Sequence, residues 1–243
     1  MTEPVRKQPR RHTVAGTVST AVLLAVFVLV VAPLRTARAE DKDQVPLPIK
    51  LPKAAFAGTP KEPPAESKDV EPLSPKPRPI PMVAKGTVNL ALKKPVKAST
   101  KDTFNGTLDQ ITDGDKEARE GSCVELKPRL QWVQIDLGAA APLSYVCVWH
   151  FHQEPVIFHD VVVQVSNDPT FEDGVTTLYN NDKDNSAGFG VGKDREYWET
   201  CEGRLIAAKG VKARYVRLYS KGSTYGDPLN RYTEVEVYGV PSK

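Results

Sequence analysis

From Asn89 onward the apolar residues fall in short alternating runs, each closed by Gly, Pro, Asn or Asp. A period of two is the signature of strands with one buried face. Gln131–Leu137 sets Val133, Ile135 and Leu137 against Trp132, Gln134 and Asp136. Leu143–His150, Asp160–Ser166, Ala213–Ser220 and Tyr232–Tyr238 are rich in Val, Tyr and Trp, and Val175–Tyr179 and Glu196–Thr200 are weaker strands of the same kind. Asn167-Asp168-Pro169 and Lys221–Pro228 read as turn or loop. No helical periodicity outlasts a turn or two, and no internal repeat is visible. The pattern predicts an all-β, antiparallel sandwich.

The pattern before Asn89 differs. Arg6, Lys7, Arg10 and Arg11 precede 22 uncharged residues from Thr13 to Leu34, followed by Ala37-Arg38-Ala39. Residues 1–39 therefore read as a secretory signal peptide cut after Ala39 or as an N-terminal membrane anchor. Either reading puts the remainder outside the cytoplasm: secreted, periplasmic or held at the membrane. Residues 40–85 contain eleven of the 21 prolines. Proline fixes φ and lacks a backbone donor, so this segment reads as a disordered, extended stalk. The domain expected to fold is 86–243.

Charge follows the same division. Residues 1–39 carry +5, 40–85 carry +1 and 86–243 carry −3. The domain is mildly acidic, which argues against nucleic acid, whose phosphates must be met by Lys and Arg. All three Trp and all eight Tyr lie after residue 85, so the core is there.

Seven motifs occur in order. They are Asn89-Leu90-Ala91 with Pro95 and Ala98-Ser99; Ile111-Thr112-Asp113-Gly114-Asp115; Trp132-Val133-Gln134-Ile135-Asp136-Leu137-Gly138; Val146-Cys147-Val148-Trp149; Val163-Gln164-Val165-Ser166-Asn167-Asp168; Arg214-Tyr215-Val216-Arg217-Leu218-Tyr219; and Glu234-Val235-Glu236-Val237-Tyr238-Gly239. Over residues 88–239 the chain resembles the coagulation factor V/VIII type C, or discoidin, domain. That wider group includes family 32 carbohydrate-binding modules and fucose-binding lectins. The resemblance implies a jelly-roll sandwich of the galactose-binding-like type. It also implies binding without catalysis, with a glycan, a protein or a lipid head group as partner.

Candidate chemistry is sparse. Asp113-Gly114-Asp115 places two carboxylates around a turn, a donor set suited to Ca²⁺. The resemblance adds Ser122 of Gly121-Ser122-Cys123, Glu234, and backbone carbonyls near Gln110 and Thr233 as further calcium ligands. Asp182-Lys183-Asp184-Asn185-Ser186 alternates oxygens but lacks a Gly at its sixth position and a distal Glu, so it reads as a polar loop. His150 and His152 share a strand face two residues apart, with His159 and Glu154 following, which raises a transition-metal enzyme as an alternative. No nucleophile, phosphate-loop or zinc-protease motif appears, so the domain reads as no enzyme. Of the three cysteines, Cys147 lies in a buried strand, while Cys123 and Cys201 lie near loops and form the candidate disulfide.

Sugar binding needs an aromatic platform beside hydrogen-bonding groups. The loop residues with that chemistry are His152, Glu154, Arg195, Trp198, Tyr225 and Arg231. Tyr197 and Trp198 are adjacent, so one of them belongs to the core. In the resembled fucose lectins, a His placed after the Gly-Ser-Cys and two Arg in the third loop hold the sugar. The matching region here reads Val124-Glu125 and then His152-Gln153-Glu154-Pro155-Val156, without them. The expected function is a non-catalytic extracytoplasmic binding module for carbohydrate. The alternative is a module for a cell-surface or envelope protein, acting in adhesion.

Overall fold

The computed structural model describes residues 43–55 and 67–242. The signal or anchor reading of residues 1–39 lies outside them. Among the described residues no helix is long and apolar enough to cross a membrane.

Eleven strands follow one another: β1 (Gln44–Pro46), β2 (Met82–Ala84), β3 (Val88–Asn89), β4 (Val96–Ala98), β5 (Val124–Leu126), β6 (Gln131–His150), β7 (Val162–Ser166), β8 (Thr176–Asn180), β9 (Arg204–Ala207), β10 (Lys212–Ser220) and β11 (Asn230–Gly239). Among the described residues the only helical element is a 3₁₀ turn at Leu108–Thr112. All strand pairings are antiparallel. The antiparallel sandwich expected from the alternation and the motifs is the fold observed.

Two expected strands, Gln131–Leu137 and Leu143–His150, are one strand, β6. Its first half pairs with β4 and β10, and β10 pairs onward through β7 to β8. Its second half pairs with β11 and β9. The strand therefore belongs to both layers. It turns at Gly138, where φ is +87°, a conformation that suits a residue without Cβ. The Asp136 carboxylate accepts the Gly138 N–H at 2.8 Å through Oδ1 and the Arg214 guanidinium through both oxygens. Glu196–Thr200, expected as a strand, makes only isolated bridges, from Glu196 to Val70 and from Trp198 to Ile157; the strand of this region is β9.

Between the layers lie Val133 and Ile135 of β6, Val163 of β7, Val216 and Leu218 of β10, and Val235 and Val237 of β11, all without exposed surface. These are the inward positions of the period-two pattern. The outward positions of β11 are not solvated, however. Every residue of β11 is buried, including Glu234 and Glu236. The outer face of the β11–β6–β9 layer is thus covered as well.

Part of that cover is the described part of the proline-rich segment, residues 43–55 and 67–85, which corrects the expectation of a free stalk there. β1 pairs with β2, and Leu47 donates its N–H to the Pro81 carbonyl at 2.9 Å. Leu47 and Val83 pack on Tyr238, with Val45, Ile49, Tyr145 and Leu205 around them. Arg78 donates to the carbonyls of Glu202 and Gly203, each at 2.7 Å. Arg204 grips Glu71 with both terminal nitrogens, at 2.6 and 2.7 Å. Proline excludes a self-contained fold in this arm, but its few apolar side chains still gain by covering Tyr145, Leu205 and Tyr238. The domain therefore extends upstream of residue 86.

Leu47→Ala removes a buried leucine from this contact. It should lower the free energy of unfolding by about 2 kcal/mol or more, the low end for core truncations. It should also speed tryptic cleavage after Lys50, Lys53 and Lys85, none of which is followed by proline. Urea denaturation and timed proteolysis measure both; unchanged values would mean the arm adds nothing.

Candidate functional site

The Asp113–Asp115 turn is placed by the 3₁₀ turn before it, where the Gln110 side chain accepts the Thr107 N–H at 2.7 Å and donates to the Gly121 carbonyl at 3.2 Å. Gly114 lies at φ +93° and presents its N–H to Oε2 of Glu234 at 3.3 Å. The turn thus closes over Glu234, 120 residues away in sequence. Glu234 has no exposed surface, and its Oε1 has no hydrogen-bond partner. Burial pushes its pKa up to about 9; the Glu236 and Asp113 charges push the same way, against the Gly114 N–H and Lys116. A buried carboxylate with one free oxygen, beside an exposed Asp, is a donor set that fits a hard cation.

The other expected ligands are engaged elsewhere. Asp113 Oδ1 accepts the Asp115 N–H at 2.7 Å, Asp115 pairs with Arg119, and Ser122 Oγ donates to the Arg119 carbonyl at 2.7 Å. Thr233, expected to offer its backbone carbonyl, donates its side-chain hydroxyl to the His150 carbonyl at 3.0 Å. Glu234 and the Asp113 turn are brought together; Asp115 and Ser122 face Arg119.

Lys116, the next residue, pairs with Glu236 and lies 5.1 Å above the ring of Trp149. Trp149 has no exposed surface, and its indole N–H donates to the Cys201 carbonyl at 3.0 Å. Gly203 (φ +60°) lies so close that a Cβ there would come within 2.6 Å of the indole. These contacts hold the turn at 200–203 against β6.

The histidines do not converge. His150 is fully buried, donates from Nδ1 to Glu199 at 2.6 Å, and stacks on Phe158 with centroids 4.5 Å apart. His152 is also buried and donates from Nε2 to the Lys116 carbonyl at 3.0 Å; burial lowers its pKa. His159 donates from Nδ1 to Glu196 at 2.7 Å. Among the described residues, the metal-capable groups that do gather are Asp160, Asp182 and Asp184, within 4.8 Å of one another. Both Asp182 oxygens, Asp184 Oδ1 and Asp160 Oδ2 accept the N–H groups of Ser186 and Ala187 and the Ser186 hydroxyl.

The six candidate ligand residues separate into two places. Tyr225 is half-buried, edge-on to Phe151 at 5.0 Å and 4.8 Å from the Arg231 guanidinium. Arg231 is buried and spent: Nε donates to Glu125 at 2.8 Å, and both terminal nitrogens donate to Asp227 at 2.9 and 2.6 Å. His152 lies beneath this end, and Glu154 is exposed on it. Arg195 and Trp198 lie elsewhere, beside the proline-rich arm. Arg195 donates to the carbonyls of Ser67 and Val70. Trp198 is half-buried, whereas Tyr197 beside it is the core ring, under Arg204 at 4.9 Å.

The candidate disulfide is corrected: Cys123, Cys147 and Cys201 are all free. Cys123 packs between the layers, where burial raises its thiol to about 11. Cys201 sits on the turn outside the core, beside Trp149. Proximity to loops did not reveal that the two lie on different sides of a sheet.

No protein-family model and no curated protein matches the chain. Among solved structures it is similar to chitosan-binding module 1 of a chitosanase/glucanase from Paenibacillus sp. IK-5, at 24% identity over 63% of this chain and 99% of that one, with a TM-score of 0.43. It is also similar to a CBM32 module produced by Clostridium perfringens in complex with GlcNAc-α-1,4-galactose (17%, 65% and 97%, 0.47) and to a fucose-binding module of Streptococcus pneumoniae (19%, 64% and 99%, 0.44). The likeness is one of fold.

The His159–Glu196 bond favours the protonated ring, and the pKa of His159 is raised above its ordinary value by that bond. Stabilisation from this pair is fully present below about pH 6.5 and is lost as the pH rises through the higher folded value. Proton NMR should show His159 titrating above the free imidazole, and Glu196→Gln should return it toward that value.

Proposed function

We infer that this chain is a non-catalytic binding module for carbohydrate, working outside the cytoplasm. The observation that carries the reading is the state of its loop aromatics. Tyr225 and Trp198 keep part of their rings accessible, and Tyr225 packs against an arginine that carboxylates hold still. A ring immobilised before binding costs little entropy on binding and offers a face to the C–H side of a pyranose. The N-terminal basic and apolar run supports export or anchoring.

One Ca²⁺ ion belongs to the proposal. Glu234 and the Asp113–Asp115 turn would hold it, and Asp115 and Ser122 would join by leaving Arg119. Bound calcium would supply charge compensation for Glu234 and fix the loop. A ligand of the native state alone stabilises by about 2.7 kcal/mol at a hundredfold excess over Kd.

A single shallow site of this kind should bind with Kd of about 0.1–1 mM, because hydroxyls exchange water bonds for protein bonds at small net gain. A glycan array with the full chain, with and without EDTA, tests the carbohydrate reading. EDTA should lower the melting temperature, and Asp113→Ala should remove that sensitivity. A blank array together with micromolar capture of one purified envelope protein would replace the carbohydrate reading with adhesion.

A further inference from the structure

Between the proline-rich arm and the turn after Trp198 runs an open groove of about 760 Å³, a volume typical of ligand clefts. One wall is the arm from Glu71 to Pro79; the other is built by Trp198, Thr200 and the turn Cys201–Leu205. The groove lies apart from Tyr225 and from the Glu234 site. We propose that this groove is the binding site for a neutral oligosaccharide, with Trp198 as its stacking ring. The proposal rests on the carbohydrate reading and names its site and ligand class.

Three observations select that ligand. First, the walls are locked together. Arg78 spans them through the carbonyls of Glu202 and Gly203 and through its own N–H to Glu202 Oε1 at 2.9 Å. Glu71 and Arg204 span them again, with Arg204 lying over Tyr179 and Tyr197 at 5.1 and 4.9 Å. The cleft is formed before the ligand arrives. Second, both arginines of the walls are already engaged, Arg204 by the Glu71 carboxylate and Arg78 by the Glu202 and Gly203 carbonyls, so neither offers a free fork to an anionic ligand. Hydroxyls need only short-range donors and acceptors, which these fixed groups and the prolyl carbonyls supply. Each proline of Pro72, Pro75, Pro77 and Pro79 brings an acceptor without a backbone donor. Third, Trp198 is only half-buried, although the other tryptophan of this region, Trp149, has no exposed surface. A concave cleft with a partly exposed indole suits a pyranose ring better than the broad patch of a protein partner.

The test titrates the full chain by calorimetry with cellohexaose, mannohexaose and chitohexaose, and with hexagalacturonate as the anionic arm. At least one neutral hexamer should bind, and hexagalacturonate should bind no better. Trp198→Ala should weaken that binding at least tenfold, and Trp198→Phe should recover part of it. Ser74 is exposed on the arm wall, so Ser74→Trp should block the groove while leaving the melting temperature near that of the unmodified chain. If a hexamer binds Trp198→Ala and Ser74→Trp as well as it binds the unmodified chain, but not Tyr225→Ala, the groove is wrong and the carbohydrate reading stands. If no member of the panel or of the glycan array binds, the carbohydrate reading itself falls. Preference for hexagalacturonate would overturn the neutral class.

Discussion

A single strand of twenty residues, β6, ties this domain together. Its first half is a central strand of one layer and its second half a central strand of the other. Any displacement of β6 moves both sheets. The bend at Gly138 lets it change layers without ending, and the Asp136 carboxylate holds both the Gly138 N–H and the Arg214 guanidinium. The core valines of β6, β7, β10 and β11 then meet across a gap closed from both sides by the same chain segment. The loops at the end of β6, from Phe151 to His159, inherit their position from this strand.

The second half of β6 also carries Trp149, and from it the outer surface of its layer is organised. The indole takes up the carbonyl of Cys201, excludes any side chain at position 203 and lies under Lys116. Two separate loops, 113–117 and 200–203, are therefore set by one ring. The first carries the candidate cation turn; the second forms a wall of the groove. The proline-rich arm completes the cover by laying Leu47 and Val83 on Tyr238. An antiparallel sheet commonly leaves one face to water. Here that face is packed, and the groove exists only because the arm does not seal it entirely.

Packing this face has an electrostatic cost. Glu234, Glu236 and Glu199 are all buried carboxylates. Glu236 is answered by Lys116 and by the Tyr238 hydroxyl, and Glu199 by His150. Glu234 receives only one long hydrogen bond and keeps a free oxygen, so its proton is held far more tightly than a glutamate's usually is. Such a group is stable only if it stays neutral or gains a positive partner. The same reasoning explains why Arg231, a promising sugar contact by composition, is unavailable: its whole fork is consumed by Glu125 and Asp227.

The alternation of Val133 and Ile135, of Val163 and Val165, and of Val235 and Val237 made the class of fold and most strand positions legible, because a buried face writes a period of two into any strand. The Asp113 turn and Glu234 were legible as partners only through ordered motifs, since they lie 120 residues apart. What residue type alone could not tell was which side chains remain free. His152 and Arg231 read as ligand contacts, and Cys123 and Cys201 read as a pair. Each reading failed for one reason: exposure depends on which distant segment covers a face. Proline density showed that residues 40–85 could not fold by themselves. Only the tertiary structure decided that residues 43–55 and 67–85 would borrow their partners from the outer face of β6, β9 and β11, because the apolar and hydrogen-bonding groups that recruit them become neighbours only after the sandwich has formed.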